Sequence, residues 1–200
     1  MKNFLNKICF NNKIFRWALY SIFGAEKYDV IINQLGIDFS KAFAAADFGA
    51  GSGRIALKIT AEAKCRILYA LDYNEDYLEI IAASAKKSNT LHKIEFIETD
   101  IAKNLKMKND SVDYGFCGYV FSYNPKETAE KILKNISEVM VTGGKIYLTD
   151  FISRNTIRRF EVPFPYKIDE LKNVIEKNGN LKIISANYKK YTQSYILEKC

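Results

Sequence analysis

Two hundred residues are enough for one domain with a full core and give no sign of a second. Apolar residues make up 48% of them, and 30 Lys+Arg against 23 Asp+Glu leave a net charge of +7, spread along the chain as a solvated surface would be. Cys9, Cys65, Cys117 and Cys200 form no CxxC pair, which argues against a zinc site or a disulfide framework and suits a reducing cytoplasm.

Residues 1–23 read as a helix, with Phe4, Leu5, Ile8, Phe15, Leu19 and Ile22 near one side. Lys7, Lys13 and Arg16 interrupt the apolar run, so it does not read as a signal peptide. "IFRWALYSIF" (14–23) is too short to span a bilayer, although with Trp17 it suits either a lid over a site or a contact with a membrane surface. A second helix is expected from about residue 25 to Gly36. Residues 1–39 are thus read as a helical lid on a core of residues 40–200, within a single domain.

From residue 43 the pattern alternates strand and helix, the signature of a parallel sheet covered on both faces. Strands are expected at 43–48, 67–72, 93–98, 111–117, 144–150, 181–187 and 191–198. Helices are expected at 53–63, 74–87, 125–140 and 168–178. "RIALKIT" (54–60) alternates like a strand, but Ala, Leu and Lys favour a helix, and a crossover is needed before the next parallel strand. For helix 125–140, Asn124 is read as the cap, Pro125 as the first helical residue and Glu127 as the acid of a capping box. The last two strands follow too closely for a crossover and should form an antiparallel hairpin.

"AAADFGAGSGR" (44–54) carries the first functional signal. Gly49, Gly51 and Gly53 follow the first strand and lead into a helix, at the sheet edge where open α/β folds bind ligands. Glycines bring a ligand against the backbone, and a helix N-terminus favours an anion. A dinucleotide fingerprint would need glycine where Arg54 stands, which counts against a nicotinamide-binding protein, and no Gly-Lys-Ser/Thr follows for a P-loop. With Asp47 before the loop, a ligand bearing both a carboxylate and an ammonium group fits better. Asp72, at the end of the second strand, can accept hydrogen bonds from ribose hydroxyls. Asp100, after the third, can take an adenine amino group, with Ile101 against the ring. Amino acid, ribose and adenine together make S-adenosylmethionine.

Together, "DFGAGSGR", "LYALDYNEDYLEIIA", "IETDIA", "VDYGFCGYVF" and "GGKIYLTDF" resemble the successive motifs of class I S-adenosylmethionine-dependent methyltransferases, in the style of the small-molecule "type 11" group. The resemblance runs over residues 44–150 and, through the closing hairpin, 181–198. It implies a doubly wound, mostly parallel α/β sheet of seven strands in the order 3-2-1-4-5-7-6, with the last strand antiparallel. It implies S-adenosyl-L-methionine as cofactor, held by Asp47, Gly49, Ala50, Gly51, Gly53, Asp72, Tyr73, Asp100, Ile101 and Cys117. Tyr28, in "AEKYDVI", resembles a recurring aromatic-acid pair and is read as a substrate contact.

Methyl transfer from a sulfonium needs alignment more than acid catalysis. His92 precedes the third strand and Cys65 the second, so both belong at the wrong edge. Tyr119 and Tyr123 can orient an acceptor, and Asp150 can act as its base. Asn124-Pro125 lacks the rest of the Asn/Asp-Pro-Pro-Tyr motif of amino-methylating enzymes and is not read as catalytic. Phe116 stands before Cys117 where covalent catalysis on a pyrimidine would want proline. "SRNTIRR" (153–159) offers Arg154, Arg158 and Arg159 to an anionic substrate or simply to solvent. No metal is expected. No insertion is large enough for a substrate domain, so a small or lipid-like acceptor is expected. The alternatives are a protein or RNA acceptor, or a partner subunit that binds the cofactor without catalysing.

Overall fold

The alternation of β-branched and apolar runs with amphipathic segments is realised as one seven-stranded sheet in the order β3-β2-β1-β4-β5-β7-β6. The computed structural model describes residues 27–153 and 162–200. The expectations for residues 1–26, including the stretch around Trp17, and for Arg154, Arg158 and Arg159 lie outside the described residues. No helix among the described residues is long and apolar enough to cross a membrane.

The strands are β1 (Phe43–Phe48), β2 (Cys65–Asp72), β3 (Ile94–Glu98), β4 (Val112–Gly118), β5 (Met140–Phe151), β6 (Leu181–Tyr188) and β7 (Thr192–Lys199). β1 pairs in parallel with β2 and β4, β2 with β3, and β4 with β5. β7 runs antiparallel to both β5 and β6. β1 is buried at all six positions, as expected of a central parallel strand between two helical layers.

One layer holds α1 (Tyr28–Leu35), α2 (Arg54–Thr60) and α3 (Glu75–Lys87), with Ile31, Leu35, Ile59, Leu78 and Ile81 buried against Phe43, Ala45, Leu68 and Phe116. The other holds α4 (Ala129–Val139) and α5 (Ile168–Lys177), with Ile132, Leu133, Ile136, Leu171 and Ile175 buried over Phe48, Cys117, Leu148 and Leu197. Each such Leu or Ile contributes about 1.5–3 kcal/mol by leaving water.

α2 confirms the helical reading of "RIALKIT" but stops at Thr60, short of the expected 63. Lys93 explains the stop: its ammonium donates to the carbonyls of Thr60 at 3.1 Å and Glu62 at 2.8 Å, capping the chain as it leaves the helix. α4 corrects the expected start. Pro125, at ψ 139°, is extended rather than helical, a 3-10 turn covers Lys126–Thr128, and the α-helix begins at Ala129. Asn124 does not cap it. Its amide turns back to the Val120 carbonyl at 2.8 Å, because the chain must first wrap around the end of β4.

Candidate active site at the carboxyl edge

The glycine loop curls over the end of β2. The N–H groups of Gly49 and Ala50 both donate to the Leu71 carbonyl, at 2.9 and 2.8 Å, and Gly53 N–H donates to Ala50 O at 2.9 Å. All three glycines have positive φ, but the space around them differs. A Cβ on Gly49 would meet Val120 Cγ2 at 2.6 Å, and one on Gly53 would meet Ile81 Cγ1 at 2.5 Å. At Gly51 the nearest atom would be the Gly49 carbonyl oxygen, 3.9 Å away, so the loop stays bare on a side facing open space. That is the shape of a cradle for a ligand.

Two acids flank it. Asp47 is 5% exposed, and its carboxylate accepts from Ala56 N–H in the first turn of α2 at 3.2 Å. Burial, with a smaller contribution from the negative charge of Asp72, pushes its pKa up to about 7, against the pull of that hydrogen bond. Asp72, equally buried, accepts from Gly51 N–H at 2.8 Å with one oxygen and from Asn74 N–H at 3.0 Å with the other. Burial raises its pKa too. Two desolvated carboxyls beside a bare loop favour a ligand that brings positive charge and hydroxyl donors, which fits the ammonium and ribose of S-adenosylmethionine. Tyr73, next along, is 76% exposed. Asn74 caps α3 through Asp76 N–H at 3.0 Å, so β2 passes from strand to site to helix within three residues.

Asp100 lies at the end of β3, where its carboxylate accepts from Ala102 N–H at 2.9 Å and stands 3.7 Å from the Lys103 ammonium. Ile101 is buried in the core under this turn. Asn135 of α4 holds the turn by donating to the carbonyls of Ile101, at 2.9 Å, and Lys103. Sequence reading missed Asn135. Its signal is a polar residue beside Ile132, Ile136 and Val139 on the buried side of an amphipathic helix. Val120 and Ile81, which shape the glycine loop, carried no comparable signal.

Cys117 is fully buried beside β1 and β5, and burial holds its thiol well above the usual range, which leaves it a wall rather than a nucleophile. Tyr119 adopts φ 62°, uncommon for a residue with a side chain. It is held there by Tyr119 N–H to Thr149 O at 2.7 Å and by its ring lying 4.6 Å from that of Phe151. Tyr123, 49% exposed, ends the 3-10 turn Phe121–Tyr123.

Asp150 lies deeper than the other acids. It points to the same face of β5 as Ile146 and Leu148, is 0% exposed, and has both oxygens engaged. Ser122 N–H donates to one at 3.0 Å, while Phe151 N–H, at 2.7 Å, and the Ser122 hydroxyl donate to the other. Burial still lifts its pKa to about 6. In this position Asp150 fastens the turn carrying Tyr119 and Tyr123 to β5. Tyr28 is separated from the group. Its hydroxyl donates to Glu62 at 3.3 Å and its ring lies 5.7 Å from the Lys58 ammonium, at the end of α2 away from the glycine loop. α1 therefore packs on the side of the sheet instead of covering the loop. His92 sits in the turn Leu91–Lys93 before β3, and Cys65 begins β2, so both stand at the amino edge as expected. Among the described residues no cluster of His, Cys, Asp and Glu suits a metal ion.

The family model of a methyltransferase domain matches residues 45–144, half of the chain. No curated protein matches it. Among solved structures, an S-adenosylmethionine-dependent methyltransferase from Methanosarcina mazei shares 15% identity at a TM-score of 0.73, covering 87% of this chain and 98% of its own. The geranyl diphosphate C-methyltransferase of Streptomyces coelicolor A3(2), solved with Mg2+, geranyl diphosphate and S-adenosyl-L-homocysteine, shares 8% at 0.72, covering 86% and 79%. The cyclase SpnF shares 13% at 0.73, covering 86% and 79%. Identities this low establish a common fold.

Proposed function

The chain belongs to the S-adenosylmethionine-dependent methyltransferases, and from that premise we propose that it methylates a small-molecule or lipid-like acceptor. The observation that carries the reading of the site is the convergence of Asp47, the bare loop at Gly51 and Asp72 on one edge of the sheet. The cofactor, when bound, supplies a methyl group on a sulfonium, whose departure leaves a neutral thioether. The face of the loop left bare at Gly51, with the first turn of α2 beside it, would receive its carboxylate. Asp47 would take the ammonium, Asp72 the ribose hydroxyls, and Asp100 the adenine amino group, with Ile101 against the ring. Cys117 closes the wall on the β4 side.

The protein's remaining task is alignment, because an in-line displacement gains most from a nucleophile held roughly 3 Å from the donor carbon. Tyr119 and Tyr123 lie on the turn that touches the loop through Val120, and they position the acceptor there. Without a free carboxylate at Asp150, an acceptor that is nucleophilic without a base, or that loses its proton to water, suits the site best.

Incubating the protein with methyl-labelled S-adenosylmethionine and a cell extract, then separating lipid, small-molecule, protein and RNA fractions, tests this. Label in the first two supports the proposal, and label confined to protein or RNA overturns it. Tight cofactor binding with no labelled product in any fraction would favour the partner-subunit reading.

A further inference from the structure

A cavity of about 320 Å³ opens beside the turn after β4, lined by Lys126, Ser153, Phe164, Lys167 and Glu170 together with Val162 and two prolines. Its position ties it to the glycine loop through a short chain of contacts. Val120 packs on Gly49, and two residues later the Ser122 carbonyl accepts from Phe164 N–H at 3.0 Å. On the other side Ser153 N–H donates to Tyr166 O at 2.8 Å, holding the end of β5 against the same wall. The cavity is therefore fastened to the two strand ends from which an acceptor would approach.

Its lining has one chemical bias. Lys126 is held in place, 2.7 Å from a Glu170 carboxylate oxygen and 5.0 Å from the centre of the Tyr166 ring. The same Glu170 oxygen accepts from Lys167 N–H at 2.9 Å, so this carboxylate is occupied by Lys126 and by the start of α5. Those two contacts hold the Glu170 pKa below the ordinary carboxylate value. Lys167 makes no ion pair among the described residues, and two ammonium groups face one carboxylate. Val162, Phe164 and the prolines supply the apolar remainder, and Phe164 is still 36% exposed. A neutral guest would displace water from Lys167 without replacing it. The volume lies at the small end of ligand pockets, about 300–1,000 Å³, too little for a long acyl chain.

We propose that this cavity binds the anionic end of the methyl acceptor, a phosphate or carboxylate on a short apolar body, with Lys167 as the principal partner and Lys126 and the Ser153 hydroxyl beside it. The proposal rests on the methyltransferase reading of the neighbouring edge and narrows its acceptor to a small anionic amphiphile.

The test is calorimetry on the full chain saturated with S-adenosyl-L-homocysteine, using hexyl phosphate, hexanoate and hexanol as probes of equal tail length. Either anion should bind at least ten-fold more tightly than hexanol, and whichever binds better identifies the head group. Lys167→Glu should abolish that preference, and Lys167→Met should reduce it. Both variants should keep homocysteine-cofactor affinity within two-fold, which also shows that they are folded. Equal binding of hexanol and both anions, or an unchanged preference in Lys167→Glu, overturns the proposal. Failure of the wild type to bind S-adenosyl-L-homocysteine would instead remove the reading on which it rests, and that is measured separately before any probe is added.

Discussion

Replacing Asp47 with Asn should make the ligand-free protein more stable above neutral pH while weakening its hold on the cofactor. The buried carboxyl has its pKa raised from the ordinary 3.8 to about 7, chiefly by burial. An acid whose folded pKa lies above its unfolded value binds more protons in the folded state between the two. Its stabilising contribution is therefore complete at acid pH and is lost as pH rises through about 7. Three pH units at about 1.4 kcal/mol each put that loss at roughly 4 kcal/mol. Asn keeps an acceptor for Ala56 N–H but must bury two amide hydrogens where the carboxylate had none, a cost of about 1–3 kcal/mol. The net gain at pH 8 is about 1–3 kcal/mol, or several degrees at about 2–4 °C per kcal/mol. Urea unfolding followed by circular dichroism at pH 5 and pH 8 measures it. The raised carboxyl of Asp150 contributes equally to both proteins, so the difference between them isolates Asp47. Cofactor affinity should fall at least ten-fold, and in the wild type binding near pH 6.5 should release protons, visible as a buffer-dependent enthalpy. A variant less stable than wild type at pH 8, or a stability difference that does not change with pH, would refute the assignment of an uncompensated carboxylate at this position.

The two glycines at the ends of the loop and the one at its centre should behave differently. Gly53→Ala forces a methyl against Ile81 and should cost about 2–4 kcal/mol in urea unfolding, from left-handed strain plus overpacking. Gly51→Ala meets only open space and should cost about 1–2 kcal/mol, yet it should weaken the cofactor strongly because the methyl occupies the cradle. Asp72→Ala should weaken cofactor binding by about 2–4 kcal/mol, since charged hydrogen bonds are lost and the Gly51 N–H loses its acceptor. An equilibrium titration showing unchanged affinity would mean the ribose lies elsewhere. Asp150→Ala should destabilise the fold by about 3 kcal/mol or more, because it strands the Ser122 and Phe151 donors. Asp150→Asn should retain turnover within about ten-fold if the residue only positions the turn. Loss of turnover in a well-folded Asp150→Asn would restore it as a base.

The sequence by itself determined the alternation and the loop, and the resemblance of its motifs to a family implied the strand order. The first two rest on local chemistry: the period of apolar residues, the glycine spacing, and the small residues of β1. It also placed acids at the ends of β1, β2 and β3, because a residue's position at a strand end follows from where the strand stops. Tertiary structure decided what each strand-end acid holds. Asp150, at the end of β5, reads the same as Asp72 in one dimension, yet its donors come from the turn after β4 and from Phe151, while those at Asp72 come from the glycine loop and Asn74. The start of α4 departs from its local signals for the same reason. Asn124-Pro125 has good capping chemistry, but the chain must first round the end of β4, and that requirement outweighs about 1 kcal/mol of capping preference. Tyr28 is linked to the site by likeness of motif alone. Packing put α1 against the flank of the sheet, where the Tyr28 hydroxyl meets Glu62 across a gap of 34 residues in sequence, a contact that no local pattern encodes.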